Sequence, residues 1–263
     1  MSEGKVITII QEKGGVGKSL ATMNIAYYLS RSGKVLVIDL DGQAADITYY
    51  MLGNTIENKR KNILTILDVF KEKATVEEAI LPIQLNLDII PANIDISNIG
   101  QTEKISTFKG FIKKLQTIYD YIMIDVSPTP GWAHLLALSA PNQRIIPIIN
   151  ADAASLKALI SLNVTVKDVL ESINPTAKYL GIIVNRYDGR TNISKEIVSH
   201  ASDIAKQINT SLFKTKIRQS VVLSEQTVSH KSIFEYAPNS PAAKDYEKIG
   251  AEIVERIKAE ERR

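Results

Sequence analysis

Val6-Ile7-Thr8-Ile9-Ile10-Gln11-Glu12-Lys13-Gly14-Gly15-Val16-Gly17-Lys18-Ser19 runs from a β-branched stretch through clustered glycines into Lys-Ser. Residues 6–10 are apolar or β-branched without a break, the pattern of a strand covered on both faces. From Ser19 to Arg31 apolar residues recur with a helical spacing. The local order is therefore strand, glycine loop, helix. In that order the glycines let backbone N–H groups close around phosphate oxygens. Lys18 would neutralise the terminal phosphates, the Ser19 hydroxyl would ligate Mg²⁺, and the helix N-terminus would add its partial positive charge. The strict pattern G-x-x-x-x-G-K-[ST] requires Gly where this chain has Glu12. A glycine-rich turn with a solvated lysine is the alternative, and the strand–loop–helix setting argues against it.

Outward from this stretch, short apolar runs alternate with longer helix-period segments, which implies parallel strands joined by helices. Strands are expected at 6–10, 35–40, 87–90, 121–126, 144–149 and 180–185, and helices at 19–31, 64–70, 105–118, 153–171 and 193–207. Gly33 falls where a C-terminal helix cap belongs. A closing helical segment, 242–260, places Tyr246, Ile249, Ile253 and Ile257 on one face. No repeat, low-complexity tract or long linker interrupts the series. The expected fold class is α/β, a single domain over 1–263 with one doubly wound, mostly parallel sheet flanked by helices.

Composition narrows the chemistry. At 263 residues with 44% hydrophobic and 23% charged residues, the chain has the make-up of a soluble globular protein. The absence of Cys excludes a disulfide framework, a thiolate metal site, an iron–sulfur scaffold and a Cys nucleophile. The N-terminal order does not suit a signal peptide, and no apolar run approaches the ~18 residues of a membrane span, so a cytoplasmic protein is expected. A net charge of +3 permits a local basic patch without requiring one. His134, His200 and His230 lack metal-site spacing and read as structural or surface groups, and Trp132 reads as a packing residue.

Lys13-Gly14-Gly15-Val16-Gly17-Lys18-Ser19 resembles the deviant phosphate loop of the ParA/MinD family of P-loop ATPases. Val35-Leu36-Val37-Ile38-Asp39-Leu40-Asp41-Gly42-Gln43 looks like that family's second strand with its D-x-D-P-Q ending, and Tyr119-Asp120-Tyr121-Ile122-Met123-Ile124-Asp125 like its Walker B strand. Leu87-Asp88-Ile89-Ile90-Pro91-Ala92, Tyr187–Thr191 and Leu223-Ser224-Glu225 resemble further segments of partition ATPases. The likeness runs from Lys5 to about Ile257 and is greatest to the ParA/Soj partition type.

The resemblance implies an ATP- and Mg²⁺-dependent ATPase that forms a sandwich homodimer on ATP. Gly14, Gly15, Val16, Gly17, Lys18, Ser19 and Leu20 would hold the nucleotide, and Lys13 would cross to the partner's. Asp125 at a strand end can hold the metal through its water shell, with Ser19 and Asp39, and Asp41 can position or deprotonate water. A single strand-end Asp is otherwise a cap or turn former. Asn185 and Arg186 stand where such folds read the adenine edge, with a turn-forming Asn as competitor. Nonspecific DNA, a ParB-like centromere-binding partner and nucleoid association follow from the resemblance.

Departures from the family pattern are Gly42 for Pro, Leu20 for a second Thr, and Val126-Ser127-Pro128-Thr129-Pro130-Gly131 after the Walker B Asp. Gln219 and Val222 stand where DNA-binding members tend to have Arg. Lys214, Lys216 and Arg218 could supply charge instead, and a solvated basic edge accounts for them equally. A MinD-like membrane-positioning switch is the alternative function. It requires a strongly apolar amphipathic tail, and residues 253–263 carry several acids and no Trp, Phe or Leu. A reductase-type or metal-delivery relative would need cysteines.

Overall fold

The computed structural model describes residues 3–42, 44–53, 63–92 and 103–262. Gln43, the last residue of the second-strand motif, lies outside them. The strands are β1 (Lys5–Ile10), β2 (Val35–Asp39), β3 (Leu81–Gln84), β4 (Leu87–Ile90), β5 (Tyr121–Asp125), β6 (Gln143–Asn150), β7 (Lys178–Tyr179) and β8 (Ile183–Asn185). They form one sheet in the order β3-β4-β2-β5-β1-β6-β7, with β8 also on β6. Every pairing is parallel except that of β3 with β4.

The helices are α1 (Lys18–Leu29), α2 (Asp46–Leu52), α3 (Ile66–Phe70), α4 (Glu103–Leu115), α5 (Trp132–Ser139), α6 (Ala153–Ser172), α7 (Asn192–Gln207), α8 (Val221–Ser229), α9 (Ile233–Tyr236) and α10 (Pro241–Glu261). The unbroken apolar runs are explained by the two layers. On β1, Val6 and Ile10 point into one core with Leu36, Ile38, Ile122 and Ile124, under α3, α4 and α5. Ile7 and Ile9 point the other way, into a core with Val35, Val37 and Met123 under α1 and α10. A strand with helices on both sides has no face left for polar residues. A third, smaller core joins β8, α6 and α7 through Val184, Leu159 and Ala201.

Helix α1 is enclosed in the same way, with ten of its twelve residues buried. Its outer face meets α10, whose Tyr246, Ile249, Ile253 and Ile257 are all buried. The apolar stripe of the last helix is thus consumed by the core. No described helix is long and apolar enough to cross a membrane.

Two local expectations change. The expected strand 180–185 shortens to β8, Ile183–Asn185, and a separate short strand, β7, ends before it at Tyr179. Arg256 on α10 donates to the carbonyls of Leu180 and Leu212, both at 2.7 Å, and Ile182 N–H turns to Ser211 at 3.0 Å. The chain therefore leaves the β7 line at Gly181, where a Cβ would collide with the Phe213 ring at 2.7 Å and with Arg256. Gly33 does not cap α1 in a left-handed conformation; Ser30 is the cap. Gly33 serves close approach, because a Cβ there would stand 3.1–3.2 Å from Asp120 and the Tyr121 ring. The short helices α2, α5, α8 and α9 and edge strand β3 are additions to the expected series.

Gly250 marks the α1–α10 crossing, since a Cβ there would overlap the Tyr28 ring. Gly250→Val should destabilise the fold by about 1–3 kcal/mol through overpacking. Urea unfolding monitored at the tyrosines checks this.

Candidate functional site

Between β1 and α1 the chain turns through Gly15 at φ 70° and Gly17 at φ 90°, left-handed values that favour glycine. At Gly17 a side chain is also excluded by space, because its Cβ would lie 2.7 Å from the Asn185 amide nitrogen. Gly17 is the N-cap of α1, with no side-chain cap and no acidic residue in the first turn. A helix start of this kind directs N–H groups and partial positive charge at an anion. The loop borders a cleft of about 350 Å³ lined by Gly14, Gly15, Gly17, Lys18, Ser19, Leu20 and Asp41, with Tyr50, Pro128, Arg186 and Leu223 around it. Val16 lies beneath, fully buried.

The parallel register assembles the acids under this loop. Asp39 ends β2 and Asp125 ends β5, paired in register, and Asp125 also sits level with Ile9 of β1. Both carboxylates are fully buried. Asp39 accepts from Asp41 N–H at 2.8 Å, Thr48 N–H at 3.2 Å and Thr48 Oγ1 at 2.5 Å. Both of its oxygens are engaged, so Asp39 organises the turn into α2 rather than presenting a free ligand to a metal. Neither Asp125 oxygen has a hydrogen-bond partner among the described residues.

Burial pushes the Asp39 pKa up to about 7. Burial, then the adjacent Asp39, raises Asp125 well above the usual carboxylate range, against the pull of Ser19 and Lys18. Burial also pulls the Lys18 ammonium down, partly offset by Asp125, Asp41 and Asp46. An enclosed, unsatisfied carboxylate beside a hydroxyl and an ammonium fits a divalent cation, with Asp125 and Ser19 holding it and Lys18 facing the anion it accompanies. Asp41, 3% exposed, lines the cleft.

Lys13 and Glu12 are both anchored on α6. Lys13 Nζ reaches Asp152 at 2.8 and 3.0 Å and Ser155 Oγ at 3.1 Å. Asp152 is at the same time the N-cap of α6, accepting from Ser155 N–H at 2.7 Å. Glu12, the residue that breaks the strict motif, accepts from Thr165 Oγ1 at 2.7 Å.

A sequence model described as an AAA domain matches residues 4–179. The chromosome-partitioning ATPase Soj of Treponema pallidum is 30% identical over 261 residues, covering 96% of this chain and 98% of its own. The sporulation initiation inhibitor protein Soj of Bacillus subtilis is 30% identical over 258 residues, covering 95% and 98%. A solved plasmid partition protein from Borrelia burgdorferi B31, bound to AMPPNP, matches with a TM-score of 0.78 and 25% identity over 97% of this chain and all of that one. The chain belongs to the ParA/Soj family of P-loop ATPases.

In this ParA/Soj chain Asn185 supports the loop, donating from Nδ2 to Val16 O at 2.7 Å, while its Oδ1 is buried without a partner among the described residues. Arg186, not Asn185, lines the cleft, at φ 50°. Ser224 and Thr227 of α8 also line it. The motif around Leu223 pointed to that segment, but no spacing signalled its hydroxyls. His134 is a structural group: Nε2–H donates to Ser127 O at 2.8 Å, pinning the segment after Asp125, and burial lowers its pKa. Trp132 packs against the core from α5.

The three basic candidates line two clefts, and Lys216 Nζ donates to the carbonyl of Lys214 at 3.4 Å. Lys216 and Arg218 share a cleft with Arg190, Asp188 and Gln219, whereas Lys214 lines a separate groove with Glu252 and Arg256. Arg218 is bidentate to Asp245 at 2.7 and 2.9 Å, and Arg190 to Asp188 at 2.9 and 2.8 Å. Part of the local positive charge is therefore neutralised within the chain.

The buried acids carry a stability cost. A raised folded-state pKa means that the unfolded chain releases its proton first. Asp39 thus makes stability of the nucleotide-free protein fall as pH rises from its ordinary 3.8 to about 7. Asp125→Asn should raise the nucleotide-free Tm at pH 7.5, at about 2–4 °C per kcal/mol regained. Differential scanning calorimetry with and without Mg²⁺ and nucleotide should show the wild type, but not the variant, gaining from the ligands together.

Proposed function

We propose that the chain is an ATP-switched partition ATPase of the cytoplasm. Two copies close over ATP, the closed dimer holds nonspecific DNA on the nucleoid, and a ParB-like partner at a centromere-like site stimulates hydrolysis. Slow intrinsic turnover makes the lifetime of the ATP state the output. The observation that supports the reading best is the pair of lysines on one loop. Lys18 lines the cleft, while Lys13 stands outside its lining, on α6.

In this reading the loop glycines and Lys18 bind the β- and γ-phosphates, and Ser19 and Asp125 hold Mg²⁺ in place. Mg²⁺, when bound, neutralises phosphate oxygens as charge develops. Asp41 orients the attacking water and takes its proton, held by the turn that Asp39 organises. Lys13 leaves Asp152 for the partner's nucleotide, so hydrolysis requires the dimer. Lys216, Arg218 and Lys214 supply the DNA face, with Arg190 added by the cleft it shares with the first two.

Lys13→Ala should bind methylanthraniloyl-ATP as a monomer yet lose ATP-dependent dimerisation and most hydrolysis. Asp41→Ala should accumulate as an ATP-loaded dimer. Light scattering and phosphate release read both, and normal hydrolysis by Lys13→Ala would remove the bridging lysine. For the DNA reading, gel shifts on nonspecific duplex should need ATP rather than ADP. Lys216→Ala should weaken binding across sequences and reduce the salt slope by roughly one. Liposome pelleting without DNA binding would sink the partition reading.

A further inference from the structure

Helix α8 is held to the protein by very little. Of its nine residues only Leu223 and Gln226 are buried, while Val221 and Val228 are 73% and 77% exposed. Its N-cap, Ser220, makes no side-chain capping bond. Yet three of its residues, Leu223, Ser224 and Thr227, line the cleft of the phosphate loop. The wall they form needs an anchor, and its buried polar anchor is Gln226. Fully buried, its Nε2 donates to Asn24 Oδ1 at 2.9 Å, and Asn24 Nδ2 returns a longer contact to Gln226 Oε1 at 3.4 Å.

Asn24 belongs to α1, the helix that begins at the phosphate loop. Its Nδ2 donates to the carbonyl of Leu20, a cleft residue, at 3.1 Å, and its Oδ1 also accepts from Ile233 N–H at 2.8 Å. One amide therefore joins the helix that carries the phosphate site to α8 and to the start of α9. In a dry interior such a pair fixes register as an apolar contact does not, because sliding strands an amide without partners. The attachment at Asn24 lies beyond Leu20, nearly two turns past the phosphate end of α1. The groups it brings there are an apolar surface (Leu20, Leu223), two hydroxyls (Ser224, Thr227) and, across the cleft, Arg186. An apolar surface with paired hydroxyls suits a flat base and a ribose.

We infer that the Asn24–Gln226 pair pins α8 as the nucleoside-side wall of the cleft, which makes Gln226 a positioning residue for nucleotide; this rests on the ATP reading above. Ser224 and Thr227 are the groups through which it acts.

Gln226→Met keeps length and burial and leaves each Asn24 atom one partner, Leu20 O or Ile233 N–H, so the variant should fold. Methylanthraniloyl-ATP titration, with competition by ATP and by inorganic tripolyphosphate, separates the two ends of the cleft. ATP affinity should fall about tenfold, with tripolyphosphate affinity within about twofold of wild type. The Ser224→Ala/Thr227→Ala double variant, which leaves the anchor intact, should show the same split and decides the matter if Gln226→Met does not fold. Unchanged ATP affinity, or equal loss for ATP and tripolyphosphate, overturns the inference alone. Failure of the wild type to bind ATP at all overturns the ATP reading and this inference with it.

Discussion

Two fully buried carboxylates side by side are the constraint on which the rest of the structure turns. The β2–β5 register puts Asp39 against Asp125 inside the protein. Neither arrangement nor burial favours charge there, and the two sites meet the problem differently. Asp39 is surrounded by donors from the turn into α2. Asp125 has none, and its oxygens face the region of Ser19 and Lys18. The burial of Asp39 is offset by those donors and that of Asp125 is not, so the cost is localised at Asp125, beside the phosphate loop.

The layered helices can be understood as the enclosure that sustains this site. An acid has its pKa displaced only if solvent is kept out, and here β1 supplies a fully paired neighbour while α1 closes one face above it. The same enclosure makes the phosphate loop stiff at its two ends. Asn185 holds its carbonyl at Val16, and α6 holds Glu12 and Lys13. Between these supports Gly14 and Gly15 have open space or only ordinary contact around them. The loop is thus firm where it is attached and open where an anion would lie.

The central sheet and the loop were legible in sequence because their signals are local. Four apolar residues and a β-branched Thr in one run of five, ahead of Gly-Gly-Val-Gly-Lys-Ser, define a buried strand and its turn without reference to anything distant. The strand-end positions of Asp39 and Asp125 followed in the same way. What was not legible depends on pairs far apart in the chain. Lys13 meets a partner 139 residues away, and Asn24 one 202 residues away. The departure of the chain from the β7 line at Gly181 is imposed by Arg256, 76 residues from Leu180. The helix α8 was missed because its two buried residues are too few to set a period.

The crossing of α1 and α10 has a consequence for how the protein is made. The helix that follows the phosphate loop emerges from the ribosome among the first thirty residues, and the helix that covers it spans residues 241–261. Until that last helix is delivered, Tyr28 lacks the surface at Gly250 and has only the Phe234 ring of α9 on that side. The nucleotide site is therefore completed late, by a contact of very long sequence separation, which slows folding and exposes apolar surface meanwhile. A nascent chain interrupted before residue 241 would carry the entire phosphate-binding motif and still lack the lid of protein that keeps its helix in place.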